Sequence, residues 1–115
     1  MVRHVTVIIT APDEESAHMI ANKLVEEKLC ACVNIIPGIR SIYRWEGEIC
    51  DDSEVMLVGK TAAVLSQVIV ERVRELHSYD LPEIIFLPVI TGSGDYLDWI
   101  DKEVDLQAAG DDGEI

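Results

Sequence analysis

Two amphipathic helical segments, each placed between apolar strand-like segments, are the feature that most constrains the fold of this chain. Apolar residues recur at the spacing of one helix face, as at Ile20 and Leu24 in the first segment and at Ile69 and Val73 in the second. The strand-like segments, rich in β-branched residues, cover residues 2–10, 31–49, 54–61 and 83–91. The order strand–helix–strand–strand–helix–strand predicts an α+β, ferredoxin-like fold with an antiparallel sheet and both helices on one face.

Hydroxyl side chains mark the predicted starts of the helices. We expect Thr10 to cap the first helix and Thr61 to cap the second, because a threonine oxygen can accept a hydrogen bond from the first helical turn. A short C-terminal helix is predicted in "GSGDYLDWIDKEV", with Ser93 as its cap.

Proline, glycine and a polar cluster predict the irregular points of the sheet. Pro37 and Gly38 indicate a bend or bulge, so residues 31–49 form either one long kinked strand or two short ones. The segment "CDDSE", residues 50–54, predicts a turn. Pro88 cannot donate a hydrogen bond to a neighbouring strand, so the last strand is expected at a sheet edge or a bulge.

Length and charge limit the class of protein. The chain has 115 residues and a formal net charge of −13. This length fits one domain, placed at residues 1–106, with an acidic tail at residues 107–115. An acidic surface repels phosphate groups, so neither nucleic acid nor an anionic membrane is an expected partner. No apolar run approaches the ~20 residues of a membrane span, and the first residues resemble a strand and not a signal peptide, so a cytoplasmic location is expected.

The three cysteines do not predict a disulfide framework. An odd, small number of cysteines in a chain with its own core is typical of free thiols in a reducing compartment. Cys30 and Cys32 are two residues apart, which on a strand places them on one face. They are either small core residues or two ligands for a soft cation. Cys50 falls in the predicted turn and is expected to be the most reactive thiol.

Enzymatic motifs are missing from the loops where this fold would carry them. The segment "TAPDEES" after the first strand lacks the paired cysteines of a copper chaperone and the basic residues of an acylphosphatase. There is no phosphate-binding P-loop and no H-E-x-x-H metal motif. The sequence therefore predicts neither an enzyme nor an organic cofactor.

Two segments concentrate residue types that bind ligands. In "HSYDLPE", His77 follows a helix and is accompanied by Tyr79 and Glu83, which suits either a helix end or a divalent-metal environment. In "YRWEGEI", alternation places Tyr43 and Trp45 on one face. These two aromatic residues form either a cross-strand packing pair or the wall of a pocket or interface.

Several motifs in order resemble one family. The segments "TAPDEESA", "ACVNIIPGIRSIYRWEGEI", "HSYDLPEIIFLPV" and "GDYLDWI" together resemble the divalent-cation tolerance proteins of the CutA family, over about Val5 to Asp101. The resemblance implies a cytoplasmic homotrimer of ferredoxin-like subunits with a PII-like architecture. The apolar surplus on the strands also predicts an oligomer. We expect its interface to include the 31–49 strand and the Pro88 strand.

The resemblance also implies copper binding, which is attributed to some family members. Some relatives have a cysteine at the position of Ile9 and a second histidine at the position of Leu76, so this chain retains fewer of the proposed ligands. His77 remains, and Cys32 matches a cysteine common in the family. We therefore expect weak binding of copper or another divalent cation, with His77 and Cys32 as metal ligands.

A cleft between subunits is the second possible site. Seven residues are expected to converge near a subunit boundary: Tyr43, Trp45, Glu48, Lys60, His77, Tyr79 and Glu83. Aromatic side chains, one cation and carboxylates together suit a small ligand or a partner segment. The two functions considered are a metal-binding tolerance protein and a PII-like regulator whose effect on metal tolerance is indirect.

Overall fold

A computed structural model describes residues 1–114. Four strands and three α-helices follow the predicted order. They are β1 (His4–Ala11), α1 (Glu14–Glu26), β2 (Cys32–Trp45), β3 (Glu48–Ala62), α2 (Ser66–Leu76), β4 (Ile84–Val89) and α3 (Gly94–Glu103). A short 3₁₀ turn, Ala63–Leu65, precedes α2, and a second 3₁₀ segment, Leu106–Glu114, follows α3. No helix among these described residues is long and apolar enough to cross a membrane.

The strands form one antiparallel sheet in the order β2-β3-β1-β4. This is the ferredoxin-like arrangement, and the predicted fold class is confirmed. β1 lies inside the sheet, whereas β2 and β4 are its two edges. The edge position of β4 agrees with the prediction from Pro88, whose missing N–H would break an interior ladder.

The core lies between the sheet and the helices α1 and α2. Val7 and Ile9 on β1 and Leu57 on β3 are fully buried on one sheet face. Residues of both helices are buried in the same cluster, including Ile20, Leu24, Ile69 and Val73. Alternation along the strands directs the neighbouring residues to the opposite, second face of the sheet.

β2 and β3 form a hairpin that extends beyond the rest of the sheet. β1 pairs with β3 only as far as Ala11 opposite Val55, whereas the hairpin continues to Trp45 opposite Glu48. The prediction of a turn at residues 50–54 is wrong, because these residues belong to β3. The turn is formed by Glu46 and Gly47, both with positive φ. A two-residue turn with this geometry favours glycine at its second position and matches the twist of the strands.

A bulge in β2 determines which hairpin residues share the second face. Ile36 pairs with Met56 and Ile39 pairs with Glu54, so β2 contains one extra residue at Pro37–Gly38. The predicted irregularity is confirmed, and β2 is one long strand. Before the bulge, even-numbered residues of β2 share a face with Met56; after it, odd-numbered residues do.

Two predicted helix caps are wrong and one is confirmed. The carboxylate of Asp13 caps α1 by accepting a hydrogen bond from Ser16 N at 2.8 Å, so Thr10 is not the cap. Thr61 lies inside β3, where its buried hydroxyl donates to Leu29 O. Ser93 caps α3 as predicted. Both threonines instead lie inside strands, each of which extends one residue beyond its predicted end.

α3 lies against one end of the second sheet face. His4 points to this face, and its Nε2 is 2.9 Å from Asp101 Oδ1 of α3. Beyond α3 the face carries half-buried or exposed apolar residues, namely Ile8, Ile36, Met56, Val58, Ile85 and Leu87. The chain therefore leaves a broad apolar surface uncovered.

The predicted boundary between a domain of residues 1–106 and a tail of residues 107–115 stays a prediction. Ala108 and Ala109 are half-buried and pack against the core. Residue 115 lies outside the described part of the chain.

Candidate functional site

A groove lies where β1 ends and the β2–β3 hairpin projects past it. The segment between α2 and β4 closes its other side. The groove encloses about 690 Å³. Its lining residues come from these elements and are Thr10, Arg40, Ser41, Ile42, Tyr43, Arg44, Trp45, Glu54, Tyr79, Asp80, Leu81 and Glu83.

The bulge brings an aromatic wall and a carboxylate onto the same side of the hairpin. Ile39 pairs with Glu54, so the side chains of these two residues lie on the same face of the hairpin. Tyr43 and Trp45 follow Ile39 by four and six residues, so alternation places them on that face too. Tyr43 and Trp45 are 42% and 43% exposed, and Tyr79 is 38% exposed. All three rings border the groove, and the role of Tyr43 and Trp45 as the wall of a pocket or interface stays a prediction.

Glu54 is the buried acid of this groove. Its residue surface is only 8% exposed, and its Oε2 accepts a hydrogen bond from the Tyr79 hydroxyl at 2.9 Å. Partial burial, followed by this hydrogen bond and the nearby negative charge, raises the pKa of Tyr79 to about 12. Tyr79 therefore remains a neutral hydrogen-bond donor to Glu54 at physiological pH.

The remaining charges of the groove are unequally paired. Arg40 Nε donates to Asp51 Oδ1 at 2.7 Å, and this contact raises the pKa of Arg40. The Tyr43 hydroxyl donates to Asp52, which raises the pKa of Tyr43. Arg44, Asp80 and Glu83 form no ion pair within the described part of the chain, so the groove has one unpaired base and several acids.

His77 is placed differently from the prediction. It follows α2 as its C-cap, but it is only 8% exposed. Its Nε2 is 2.7 Å from Thr10 O, and its Nδ1 is 3.1 Å from Tyr79 N. A carbonyl can only accept and a backbone N–H can only donate, so Nε2 carries the proton and the Nδ1 lone pair is occupied. Neither nitrogen is free to ligate a metal in this conformation.

Two other predicted cleft residues lie outside the groove of a single chain. Lys60 and Glu48 are on the same face of β3 as Glu54, each six residues away in opposite directions, which is ~20 Å along a strand. Lys60 Nζ donates to Asn34 Oδ1 of β2. Glu48 pairs with Trp45 at the tip of the hairpin and is exposed. Tyr43, Trp45, Tyr79 and Glu83 are the predicted residues that the fold brings together.

The cysteines are free and lie in three different environments. Cys30 is buried, and this burial raises the pKa of its thiol to about 12. Cys32, the first residue of β2, is half-buried and close to Tyr96 of α3. Cys50 is half-buried in β3 opposite Tyr43, so its predicted turn position is wrong. Among residues with described side chains, no cluster of three or more His, Cys, Asp or Glu residues is placed to hold a metal ion.

These environments predict the order in which the thiols react. In native protein at pH 8, Cys32 and Cys50 are expected to be alkylated by iodoacetamide well before Cys30, because burial and a raised pKa both suppress the Cys30 thiolate. Peptide mapping at increasing times measures the three rates, and labelling in urea provides the unfolded control. Early modification of Cys30 in native protein would contradict this burial.

Glu54 and Arg40 are among the groove residues that the sequence did not predict. Glu54 belongs to "CDDSE", whose polar composition is typical of a turn. The segment is nevertheless part of the strand β3. Arg40 was not predicted as a groove residue, because its pairing with Asp51 depends on the register of the hairpin. The signal that could have located both is Gly47, because glycine is favoured at the second position of a two-residue hairpin turn and such a turn fixes the strand ends.

The chain is similar to known proteins over most of its length. The family model described as "CutA1 divalent ion tolerance protein" matches residues 5–103. The divalent-cation tolerance protein CutA of Thermus thermophilus is 52% identical over 94 residues, which cover 82% of this chain and 91% of that protein. The chloroplastic protein CutA of Arabidopsis thaliana is 47% identical over 96 residues, which cover 84% of this chain but only 53% of that protein.

Structural comparison gives the same result. The solved structure of the divalent cation tolerance protein (Cut A1) from Thermus thermophilus superposes with a TM-score of 0.87 and 48% sequence identity. The superposition covers 89% of this chain and 99% of that chain. Sequence, fold order and structural superposition therefore agree, and the chain belongs to the CutA1 divalent ion tolerance protein family.

Proposed function

We propose that this protein acts in divalent-cation tolerance as a cytoplasmic homotrimer that binds copper or another divalent cation only weakly. The observation that carries the proposal is the match to the CutA1 family model over residues 5–103. The alternative role, a PII-like regulator, stays a hypothesis, since the relatives are named for cation tolerance and not for a regulatory ligand.

Uncovered surface supports the homotrimer. Ile85 and Leu87 on the second sheet face are 49% and 50% exposed, and Ile49 on the hairpin is 66% exposed. β2 and β4 are open sheet edges, which are prone to pair with another chain. A closed ring of three copies would cover the apolar face and both edges together. Three free thiols suit the reducing cytoplasm.

The side chains support only weak cation binding. His77 has both ring nitrogens engaged, so the predicted role of His77 as the main ligand is replaced by a structural one. Cys30 is a poor donor because its buried thiol resists ionisation. Cys32 is half-buried and remains the better soft donor of this pair for copper.

Growth under metal stress tests this proposal. In a bacterial strain that lacks its own CutA-family protein, the chain is expected to restore growth over a Cu²⁺ series. The Cys32→Ser variant is expected to restore less, because serine is a poor soft-metal ligand. Cys50→Ser is the matched control and is expected to behave as the parent does.

The outcomes distinguish the proposed function in metal tolerance from the proposed role of Cys32 as the copper donor. Failure of the parent chain to restore tolerance, although the protein is expressed and folded, would contradict the proposed function. Full restoration by Cys32→Ser would retain the function and remove Cys32 as the copper donor.

A further inference from the structure

We infer that the groove between the β2–β3 hairpin and the segment before β4 binds a small organic cation, a protonated amine carried on an apolar body. This inference goes beyond the proposed role in cation tolerance and does not depend on it. It rests on the buried Glu54 carboxylate, the aromatic wall of the same groove and the charges of the groove.

Glu54 provides the counter-charge. Its residue is more than nine-tenths buried, and it forms a hydrogen bond only through Oε2, from Tyr79. Within the part of the chain whose side chains are described, Oε1 has no hydrogen-bond donor and no basic partner, and this oxygen keeps contact with solvent. A buried carboxylate is stabilised when a cation and further hydrogen-bond donors reach it. An ammonium group supplies both, because it has a positive charge and three donors.

Three aromatic rings line the groove that contains this carboxylate, and one of them, Tyr79, contacts it directly. Tyr43, Trp45 and Tyr79 all line the groove and keep part of their surface exposed. The faces of aromatic rings attract cations, and tryptophan does so most strongly. Ile42 and Leu81, which are 70% and 72% exposed, add apolar surface at the rim. This combination favours a ligand that has a charged end and an apolar body.

The charges of the groove favour a cation over an anion. Arg40 is neutralised by Asp51 at 2.7 Å, which leaves Arg44 as the base without an ion pair among the described lining residues. Glu54, Asp80 and Glu83 oppose it. The whole chain has a net charge of −13, so the surrounding field also attracts positive ligands.

The same residues do not suit a metal ion. Divalent metals require several oxygen, nitrogen or sulfur donors at short distance. No cluster of three or more His, Cys, Asp or Glu side chains that could hold a metal ion is present in the described part of the chain. The two tyrosine hydroxyls of the wall already donate to carboxylates, Tyr43 to Asp52 and Tyr79 to Glu54. The groove volume of about 690 Å³ lies in the range of small-molecule sites, ~300–1,000 Å³.

Fluorescence titration tests the inference on the full 115-residue chain. The Trp99→Phe background leaves Trp45 as the only tryptophan, because the chain has two. The probe is 2-phenylethylamine at pH 7.5, where it is protonated. The neutral 2-phenylethanol and the anionic 3-phenylpropionate are matched probes of similar shape. We expect the amine to change Trp45 emission saturably, the alcohol to bind at least tenfold more weakly, and the anion to show no saturation.

Variants identify the residue that recognises the charge. Glu54→Gln keeps the shape and a hydrogen-bond acceptor for Tyr79, and is expected to weaken amine binding at least tenfold. Glu71→Gln removes the same charge from the exposed face of α2 and is expected to leave the affinity unchanged. Trp45→Leu, measured by calorimetry, changes an exposed hairpin residue and is expected to weaken the amine at least threefold even if Glu54→Gln does not fold.

Four outcomes of these amine titrations would overturn the inference. They are absence of saturable amine binding, equal affinity for the amine and the alcohol, an unchanged affinity in folded Glu54→Gln, and equal losses in Glu54→Gln and Glu71→Gln. A titration with Cu²⁺ alone completes the design. A Glu54-dependent response to Cu²⁺ without one to the amine would assign the groove to a metal and would also overturn the inference.

Discussion

Replacement of His77 by alanine is expected to lower the free energy of unfolding by about 2–4 kcal/mol, which is a large effect for one residue. The imidazole is buried and joins Thr10 O, at the end of β1, to Tyr79 N, in the segment before β4. Alanine removes both hydrogen bonds, leaves the buried Thr10 carbonyl without its donor and opens a cavity. Urea unfolding at a fixed protein concentration measures the change.

His18→Ala is the matched control for this variant. His18 is exposed on α1 and forms no side-chain hydrogen bond within the described part of the chain, so its removal is expected to change the stability by less than about 0.5 kcal/mol. Equal stability of His77→Ala and the parent would show that the contacts of His77 with Thr10 and Tyr79 contribute nothing. A loss of stability together with unchanged copper tolerance is the result that the geometry predicts.

His77 also shows where inference from the sequence stops. The sequence correctly placed His77 directly after the second helix, α2. Its burial could not be inferred, because the carbonyl that accepts from its ring belongs to a residue 67 positions earlier. Local pattern therefore predicted the element, whereas the hydrogen-bond partner depends on how β1 and the end of α2 meet in space.

The β2–β3 hairpin also shows which features a local sequence pattern predicts and which depend on pairing between strands. Alternation in "YRWEGEI" correctly grouped Tyr43 with Trp45, since side-chain direction in a strand is a local property. Their relation to Glu54 depends on a single extra residue at the Pro37–Gly38 bulge and on the turn at Glu46–Gly47. A one-residue change of register would direct both rings to the other face.

Long-range position explains the other differences in the predicted cleft. Glu48 and Lys60 have the residue types of a binding site, but they are 12 positions apart on one strand, which is ~40 Å when extended. No single groove of one chain can include both. Only contact between copies could bring Lys60 or Glu48 of one subunit near the groove of another, so their predicted role depends on the proposed trimer.

Substitution of Leu87 by aspartate is expected to dissociate that trimer. Leu87 pairs with Thr6 on the second sheet face and is 50% exposed in the single chain. If three copies cover this face, the variant would place three carboxylates in an apolar interface without partners, at a cost of several kcal/mol for each. Sedimentation equilibrium at micromolar concentration is expected to give three times the chain mass of 12.8 kDa for the parent and a value near one chain mass for the variant.

Val25→Asp distinguishes an interface from general loss of apolar surface. Val25 is 42% exposed near the end of α1, a helix that packs on the opposite face of the sheet, and its substitution is expected to leave the trimer intact. Circular dichroism of each variant shows whether the fold is retained. A parent mass near 12.8 kDa would contradict the trimer directly. A trimeric, folded Leu87→Asp variant would show instead that the copies associate through the sheet edges or the hairpin and leave the second face open, because an unpaired carboxylate would not be tolerated inside the assembly.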